Sequence, residues 1–391
     1  MDLEGVDVLF ALPGADTVVG SDDNGLQRVA EAVQAGPRLE YVPCVTDATP
    51  CSYGTAGHSE SPECQSDSSR ISFVGKGSVY SSNDNLLDNI ERYTERCMNR
   101  LGDQSFDVIH AHDWLTFPAG KALAERTGKP LVAHVHSTEF DRSAIKADDR
   151  IKAIESSGLE AANIVITVSN KTKNAVVNNY GVSQKKVHVV HNGVNVDGLE
   201  RFEPKTDERI VLFLGRVTHQ KGPGYFLDAA RRVLEVDENV RFVVAGTGDL
   251  IPEMIERVAD TKMRSKFTFT GFLPREDVKR VFEMASVFVM PSVSEPFGIA
   301  TLEAISHRVP VIVSAAAGVS EVLKHALKVD FRDSVDIADK ILAVLNRPAL
   351  AATLREAAAK EIGGLSWQTA ASKCIDLYRE ALKDIYTQIT K

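Results

Sequence analysis

The chain has 391 residues, of which 43% are hydrophobic and 25% charged, and its formal net charge at pH 7 is −9. This length predicts two domains with sizeable cores, and the negative charge argues against general binding of nucleic acid. No apolar run approaches the roughly 20 residues that a transmembrane helix needs, and the N-terminus lacks the basic and apolar regions of a secretory signal. We therefore expect a cytoplasmic protein without a transmembrane segment; the sequence leaves its oligomeric state open.

Strand-like apolar runs alternate with helical patterns along the chain, which is typical of parallel α/β architecture. In the first half the predicted strands are 6–12, 108–111, 131–135, 164–168 and 187–190. The predicted helices of this half are 85–101, 118–126, 150–162 and 170–180. The pattern predicts a doubly wound first domain over residues 1–196.

One segment, residues 46–70, is rich in Ser, Pro and Gly and is predicted as a mobile loop insertion in this domain. Three cysteines and a histidine lie in or beside it: Cys44, Cys51, His58 and Cys64. These residues allow a zinc site as an alternative. It is the weaker one, because no Cys-x2-Cys pair supports it.

The second half repeats the alternation. Its predicted strands are 210–215, 241–245, 267–270, 287–290 and 310–313. Its predicted helices are 224–236, 251–257, 275–285 and 299–308, and the last 45 residues read as helical. We predict a second doubly wound domain over residues 197–365, facing the first across a cleft, and a C-terminal helix over 366–391 that packs back on the first domain.

Two histidine pairs end predicted strands of the first domain: His110 with His112, and His134 with His136. Residues two apart in a strand face the same side, so each pair can present two imidazoles to a common region. Buried, hydrogen-bonded core histidines are the interpretation we favour for His110 and His134, which lie deeper in their strands. A hydrolytic metal site with His-x-His ligands is a further alternative.

A loop with two cations follows the first strand of the second domain. Arg216 and Lys221 lie five residues apart in a run that begins with Gly215. A guanidinium fork and an ammonium point charge suit a pyrophosphate. The loop also lies at the carboxyl end of a strand, where open α/β sheets bind ligands. The alternative is a solvated turn with incidental charges.

A second glycine-containing loop follows the next strand. Gly246 and Gly248 permit close approach of a ligand to the backbone, but a dinucleotide fingerprint needs a third glycine where the chain has Ile251. The chain contains no Asp-x-Asp sequence, which metal-dependent enzymes of nucleotide-sugars usually show. We therefore expect no metal, with Arg216, Lys221 and helix amides neutralising a diphosphate.

Two carboxylates, Glu295 and Glu303, lie eight residues apart across the predicted start of a helix. Pro296 suits a first helical turn, Gly298 permits close backbone approach, and free amides at such a terminus attract phosphate. The two acids can reach opposite ends of one ligand, as a nucleotide-sugar requires. A surface loop with solvated glutamates is the alternative.

These motifs together resemble the retaining glycosyltransferases of the GT-B fold, specifically family 4 with its glycogen- and starch-synthase-like relatives. The matching runs are 110–114, 136–142, 191–194, 215–222, 291–304 and 318–321. The likeness extends from about residue 106 to the C-terminus and implies two Rossmann-like domains. It also implies transfer of a hexose, glucose by its similarity to glycogen synthases, from UDP- or ADP-glucose to a glucan-like acceptor. Mannosyl or other hexosyl transfer stays an alternative.

The resemblance implies roles for individual residues on the donor side. Arg216 and Lys221 would bind the diphosphate, Glu303 the ribose hydroxyls, and Glu295 the hydroxyls of the transferred sugar. The implied donor contacts are completed by Gly215, Gly246, Gly248, Phe297, Gly298 and Ile299.

The resemblance also implies that His136 contacts the other side of the donor sugar and that Asp113 lies near the acceptor. No cofactor is implied; a phosphorylase of the same fold would need a pyridoxal-phosphate lysine in a recognisable context, which is not found. Residues 5–13 resemble the family's second strand, so we expect a truncated first domain lacking its first strand, glycine-rich loop and helix. A nucleotide-sugar-binding remnant without activity is the alternative function that follows.

Overall fold

The computed structural model describes residues 83–143, 147–195, 208–259 and 263–389. The predicted strand 6–12, the insertion at 46–70 with its cysteines and the expected missing start lie outside these ranges. Among the described residues, no helix is long and apolar enough to cross a membrane.

Strands and helices alternate along the described chain. The strands are β1 (Ile109–His112), β2 (Leu131–Val135), β3 (Ile164–Thr167), β4 (Val187–Val189), β5 (Arg209–Leu214), β6 (Val240–Ala245), β7 (Phe267–Gly271), β8 (Val287–Met290), β9 (Val311–Ser314) and β10 (Leu327–Val329). The helices are α1 (Asn83–Leu101), α2 (Phe117–Thr127), α3 (Glu139–Arg142), α4 (Asp149–Ala161), α5 (Asn170–Tyr180), α6 (Pro223–Val236), α7 (Ile251–Ala259), α8 (Arg275–Met284), α9 (Ile299–Ser306), α10 (Ser334–Asn346), α11 (Pro348–Ile362) and α12 (Trp367–Ile389).

Six of these strands form one sheet in the order β10-β9-β8-β5-β6-β7, and every neighbouring pair is parallel. This is the doubly wound order, in which the chain starts at β5 and winds outward in both directions. The order reverses between β5 and β8, so the connections that leave these two strands lead to helices on opposite faces of the sheet. Ligands of open α/β sheets bind at such a point.

Side chains of this sheet alternate between two hydrophobic cores, one on each face. Val211 and Phe213 of β5 belong to one core, and Leu212 belongs to the other. Helices α6, α7 and α10 cover the first face, α8 and α9 cover the second, and α11 contributes to both cores. Because both faces are covered, β8 and β9 are buried along their whole length.

A second sheet has the order β1-β2-β3-β4, and β3 pairs with β4 in parallel. The chain divides into two compact units. The first comprises the described residues up to Ala133, Ile154–Ile164 and the described chain from Ile375 onward. The second comprises His134–Ala153 and Val165–Cys374 in their described parts. The domain boundaries at 196 and 365 stay predictions.

The structure confirms the predicted α/β architecture with two parallel sheets, but three of its elements were not predicted. Helix α3 has only four residues and β10 only three, which is too short for an apolar period to be visible. Helix α10 was missed although its signal is present. Asp333 accepts hydrogen bonds from the backbone amides of Val335 and Asp336, and apolar residues follow at helical spacing.

Candidate functional site

The loops after β5 and β8 are packed against each other, backbone to backbone. A short 3-10 turn, His219–Lys221, follows β5 and ends at Gly222, whose φ is +70°. A β-carbon at Gly222 would overlap the carbonyl oxygen of Pro291 in the β8 loop. Glycine at this position therefore lets the turn lie directly on the neighbouring loop.

Backbone hydrogen bonds fix this contact. The carbonyl of Gln220 accepts from the amides of Val293 (3.0 Å) and Ser294 (3.3 Å). The side-chain oxygen of the same glutamine accepts from Arg216 Nη2 at 3.3 Å. Gln220 thus links the cation of one loop to the backbone of the other.

Lys221 and Glu295 form an ion pair across the two loops. The pair is largely buried, because only 18% of the lysine side chain and 7% of the glutamate side chain are exposed. The structure therefore brings these two predicted site residues into direct contact, while Arg216 beside them is exposed.

A further cation reaches the same loop from the N-terminal turn of α5. Lys171 Nζ donates to Ser294 Oγ (2.9 Å) and to the backbone carbonyl of Glu295 (3.3 Å). Its ammonium lies 3.8 Å from Asp141 Oδ1. Burial lowers the pKa of Lys171, and the neighbouring Asp141 and Glu295 charges oppose that lowering.

Asp141, on α3, is the buried acceptor that organises this cluster. Its Oδ1 accepts from Ser294 Oγ at 2.9 Å. Its Oδ2 accepts from the amide (3.0 Å) and hydroxyl (2.8 Å) of Thr138. Both carboxylate oxygens are therefore occupied, and the carboxylate holds the hydroxyl that Lys171 also contacts.

Helix α9 begins where this loop ends. Gly298 precedes it with φ +114°, and Ile299 is its first residue. The first amides of a helix lack intrahelical partners, so this terminus offers donors to an anion. Near it, three buried hydroxyls have no hydrogen-bond partner among the described residues: Thr218, Ser292 and Thr301.

Glu303 lies one turn further along α9 and is half-buried. Burial raises the pKa of its carboxyl, against the lowering effect of His307 and Arg275. The carboxylate accepts no hydrogen bond from a described residue, so its oxygens are available to a ligand.

Three other predicted donor residues have identifiable packing roles. Phe297 is buried and its ring stacks on His191, with centroids 5.8 Å apart. β-Carbons at Gly246 and Gly248 would overlap the carbonyl oxygens of Gly215 and Val217. These two glycines let the β6 loop lie against the β5 loop; contact with a donor stays a prediction for all three.

His191 has a second partner in this region. Its Nε2 lies 2.7 Å from Glu321 Oε1, and the same carboxylate accepts from the backbone amide of Asn170 at 2.9 Å. Burial alone would raise the Glu321 pKa, but the hydrogen bonds from His191 and Asn170 outweigh it and lower the pKa. This contact joins the β4 exit, the start of α5 and the 3-10 turn Gly318–Glu321.

The histidine pairs stack as the strand spacing predicts. The rings of His134 and His136 lie 4.3 Å apart, and those of His110 and His112 lie 4.2 Å apart. Burial lowers the pKa of His136 to about 4, so its imidazole is neutral at pH 7. His110 Nδ1 lies 2.5 Å from Tyr378 Oη in the first unit.

Asp113 also belongs to the first unit, whereas the cluster around Glu295 belongs to the second. It follows β1 with a left-handed φ of +58°, which is uncommon for a residue other than glycine. Its carbonyl accepts from the amide of Thr116 at 3.1 Å.

Sequence reasoning missed Lys171 and Ser294 as members of the cluster. A lysine in the first turn of a helix is usually a solvated charge, and a single serine forms no motif that predicts a function. Only the packing of α5 against the β8 loop brings them together.

Known proteins are similar to this chain in sequence. The family described as Glycosyl transferases group 1 matches residues 199–361, and the one described as Glycosyltransferase Family 4 matches residues 56–197. An uncharacterized glycosyltransferase of Methanocaldococcus jannaschii is 32% identical over 310 residues, covering 74% of this chain and 79% of the relative. D-inositol 3-phosphate glycosyltransferase 1 of Catenulispora acidiphila is 27% identical over 321 residues, covering 74% and 76%.

Solved structures show the same fold. Sucrose-phosphate synthase from Thermosynechococcus elongatus superposes with a TM-score of 0.72 at 21% identity, covering 96% of this chain and 99% of that one. Anabaena HepE, solved with UDP and glucose, superposes with a TM-score of 0.63 at 15% identity, covering 98% and 99%. The chain therefore belongs to the family 4-like glycosyltransferases of the GT-B fold.

Proposed function

We propose that this glycosyltransferase transfers a hexose from a nucleoside-diphosphate sugar to a glucan-like acceptor, and that the hexose is glucose. The transfer retains the anomeric configuration of the sugar. One observation carries the donor side of the proposal. The Lys221–Glu295 pair and the start of α9 lie together at the point where the strand order reverses. Cations, helix amides and two carboxylates at one edge of a sheet match a diphosphate flanked by hydroxyl-rich rings.

The diphosphate is assigned to Arg216, Lys221 and the first amides of α9. Lys221 is paired with Glu295 in the structure, and a diphosphate would compete for the same ammonium. As the bond from the sugar C1 to the diphosphate breaks, these groups stabilise the charge on the leaving oxygen. The acceptor oxygen bonds to C1 on the same face, and its proton passes to the departing phosphate oxygen. We propose that no metal is needed, because the protein supplies this positive charge.

The two rings of the donor are assigned to the two carboxylates. Glu295 would accept from hydroxyls of the transferred sugar, and Glu303, whose carboxylate has no described partner, from the ribose hydroxyls. His136 would contact the sugar from its other side as a neutral imidazole, and Asp113 would lie near the acceptor. The remaining donor contacts are assigned to Gly215, Gly246, Gly248, Phe297, Gly298 and Ile299.

Calorimetric titration of the purified chain tests the donor assignment. We expect one of UDP-glucose, ADP-glucose and GDP-mannose to bind selectively in the presence of EDTA, with binding weakened in Glu303→Gln. Unaltered binding in that variant would reject the assignment of Glu303, and equal affinity for every nucleotide-sugar would reject a single preferred donor.

Transfer itself is tested with that donor and a panel of acceptors, glucan oligosaccharides and an inositol phosphate included. The anomeric proton coupling of the first product reports retention or inversion. A product with inverted configuration would exclude the proposed reaction course. The cytoplasmic location also stays a prediction.

A further inference from the structure

The cluster of Asp141, Lys171 and Ser294 has no part in the donor contacts assigned above; Asp141 is buried and the other two residues are half-buried. It is nevertheless bonded to the residue that would bind the transferred sugar, because Lys171 donates to the carbonyl of Glu295 at 3.3 Å. Ser294, the preceding residue, is held by Lys171 at 2.9 Å and donates to Asp141 at 2.9 Å. The backbone amide of Gly318 also donates to this carbonyl, at 2.9 Å. Of the side-chain contacts, the cluster holds the backbone of Glu295 and Lys221 holds its carboxylate.

These two attachments differ in what a bound donor would do to them. Under the proposed function, the diphosphate attracts the Lys221 ammonium and weakens its pairing with Glu295. Lys171 contacts the backbone of the loop and is also close to Asp141, whose other oxygen is occupied by Thr138. The attachment through Lys171 therefore persists when the attachment through Lys221 is weakened.

We propose that Lys171, anchored by Asp141 and acting through Ser294, is a positioning residue that keeps Glu295 in place for the donor sugar. This rests on the proposed function. On this proposal, Lys171 affects binding of the sugar part of the donor and does not contact the diphosphate.

The test compares the affinity of the wild type and variants for the preferred nucleotide-sugar and for its free nucleoside diphosphate. In Lys171→Met we expect affinity for the nucleotide-sugar to fall about tenfold, which corresponds to the loss of one well-placed polar contact. Affinity for the free diphosphate should change by less than about twofold. Lys171→Arg should recover most of the sugar-dependent affinity because it retains the charge. If Lys171→Met folds poorly, Ser294→Ala, which removes no charge, takes its place. It should show the same selective loss of affinity for the nucleotide-sugar.

Lys173→Met is the matched control. Lys173 lies on the same helix, but its ammonium donates to the carbonyl of Val187 at 2.6 Å and not to the β8 loop. We expect this variant to bind both ligands as the wild type does, with any loss confined to stability.

Three results would overturn the assignment. If Lys171→Met loses affinity for the free diphosphate as strongly as for the nucleotide-sugar, Lys171 binds phosphate directly. If Lys171→Met and Ser294→Ala both bind like Lys173→Met, the cluster does not position Glu295. If the folded wild type binds no nucleotide-sugar, the proposed function itself is wrong and this assignment falls with it.

Discussion

Replacing Lys221 by methionine should destabilise the protein as well as weaken donor binding. The substitution removes the partner of the Glu295 carboxylate, whose side chain is only 7% exposed. Lys171 compensates the carboxylate only in part, because its hydrogen bond goes to the backbone carbonyl of Glu295 and only its charge acts on the carboxylate. The variant must therefore keep a buried, poorly compensated charge.

The expected size follows from the burial of the pair. Breaking a buried ion pair by removing one partner costs about 3–5 kcal/mol, whereas an exposed pair contributes about 1 kcal/mol or less. Because 18% of the Lys221 side chain is exposed, water reaches the site and we expect the lower end, about 3 kcal/mol. For a unit of this size, that corresponds to a fall in Tm of roughly 6–12 °C.

Urea and thermal unfolding at pH 7 measure this loss. The control is Lys340→Met, which breaks a more exposed lysine–carboxylate pair with Asp336 on α10 and should cost about 1 kcal/mol or less. Lys221→Met combined with Glu295→Gln should recover most of the stability, because the buried group is then neutral.

Two outcomes would refute this reasoning. Equal stability losses in Lys221→Met and Lys340→Met would mean that the Lys221–Glu295 pair is solvated. A double variant no more stable than Lys221→Met would mean that the loss arises from packing and not from the unpaired charge.

Arg216→Ala should lower kcat/KM by about 30- to 1000-fold, or about 2–4 kcal/mol of barrier, while stability changes little because the side chain is exposed. His136, whose pKa burial lowers from 6.5 to about 4, should contribute stability in full above pH 6.5 that is lost as pH falls toward 4. The difference in unfolding free energy between wild type and His136→Asn should therefore shrink by about 2 kcal/mol from pH 7 to pH 5. Arg308→Gly should raise stability by about 1 kcal/mol, because Arg308 has a left-handed φ of +59°, which glycine adopts without strain.

Each of these has a result that contradicts it. Near-normal turnover of Arg216→Ala would remove that residue from the chemistry. A difference between wild type and His136→Asn that is constant with pH would mean that His136 titrates alike in the folded and unfolded chain. A less stable Arg308→Gly protein would show that contacts of the arginine side chain outweigh the backbone strain.

Much of the architecture could be predicted, because the periods of two and 3.6 residues are local properties of the chain. The predicted strands 287–290 and 131–135 have the bounds observed for β8 and β2. Helix α5 also begins and ends where expected, with Ser169 accepting a hydrogen bond from Thr172 at its start. β10 was not predicted because it is a strand only by its pairing with β9, and no local sequence pattern reveals that pairing.

The sequence by itself determined which residues follow the strands, and so placed Arg216, Lys221 and Glu295 at the carboxyl edge of a parallel sheet. Only the tertiary structure decided that β5 lies beside β8, which turns a separation of 74 residues between Lys221 and Glu295 into an ion pair. It also decided that Lys171 and Asp141 support the same loop. The physical reason is that strand order and the docking of α5 depend on contacts between distant segments, whereas periodicity and loop composition depend on neighbours in the chain.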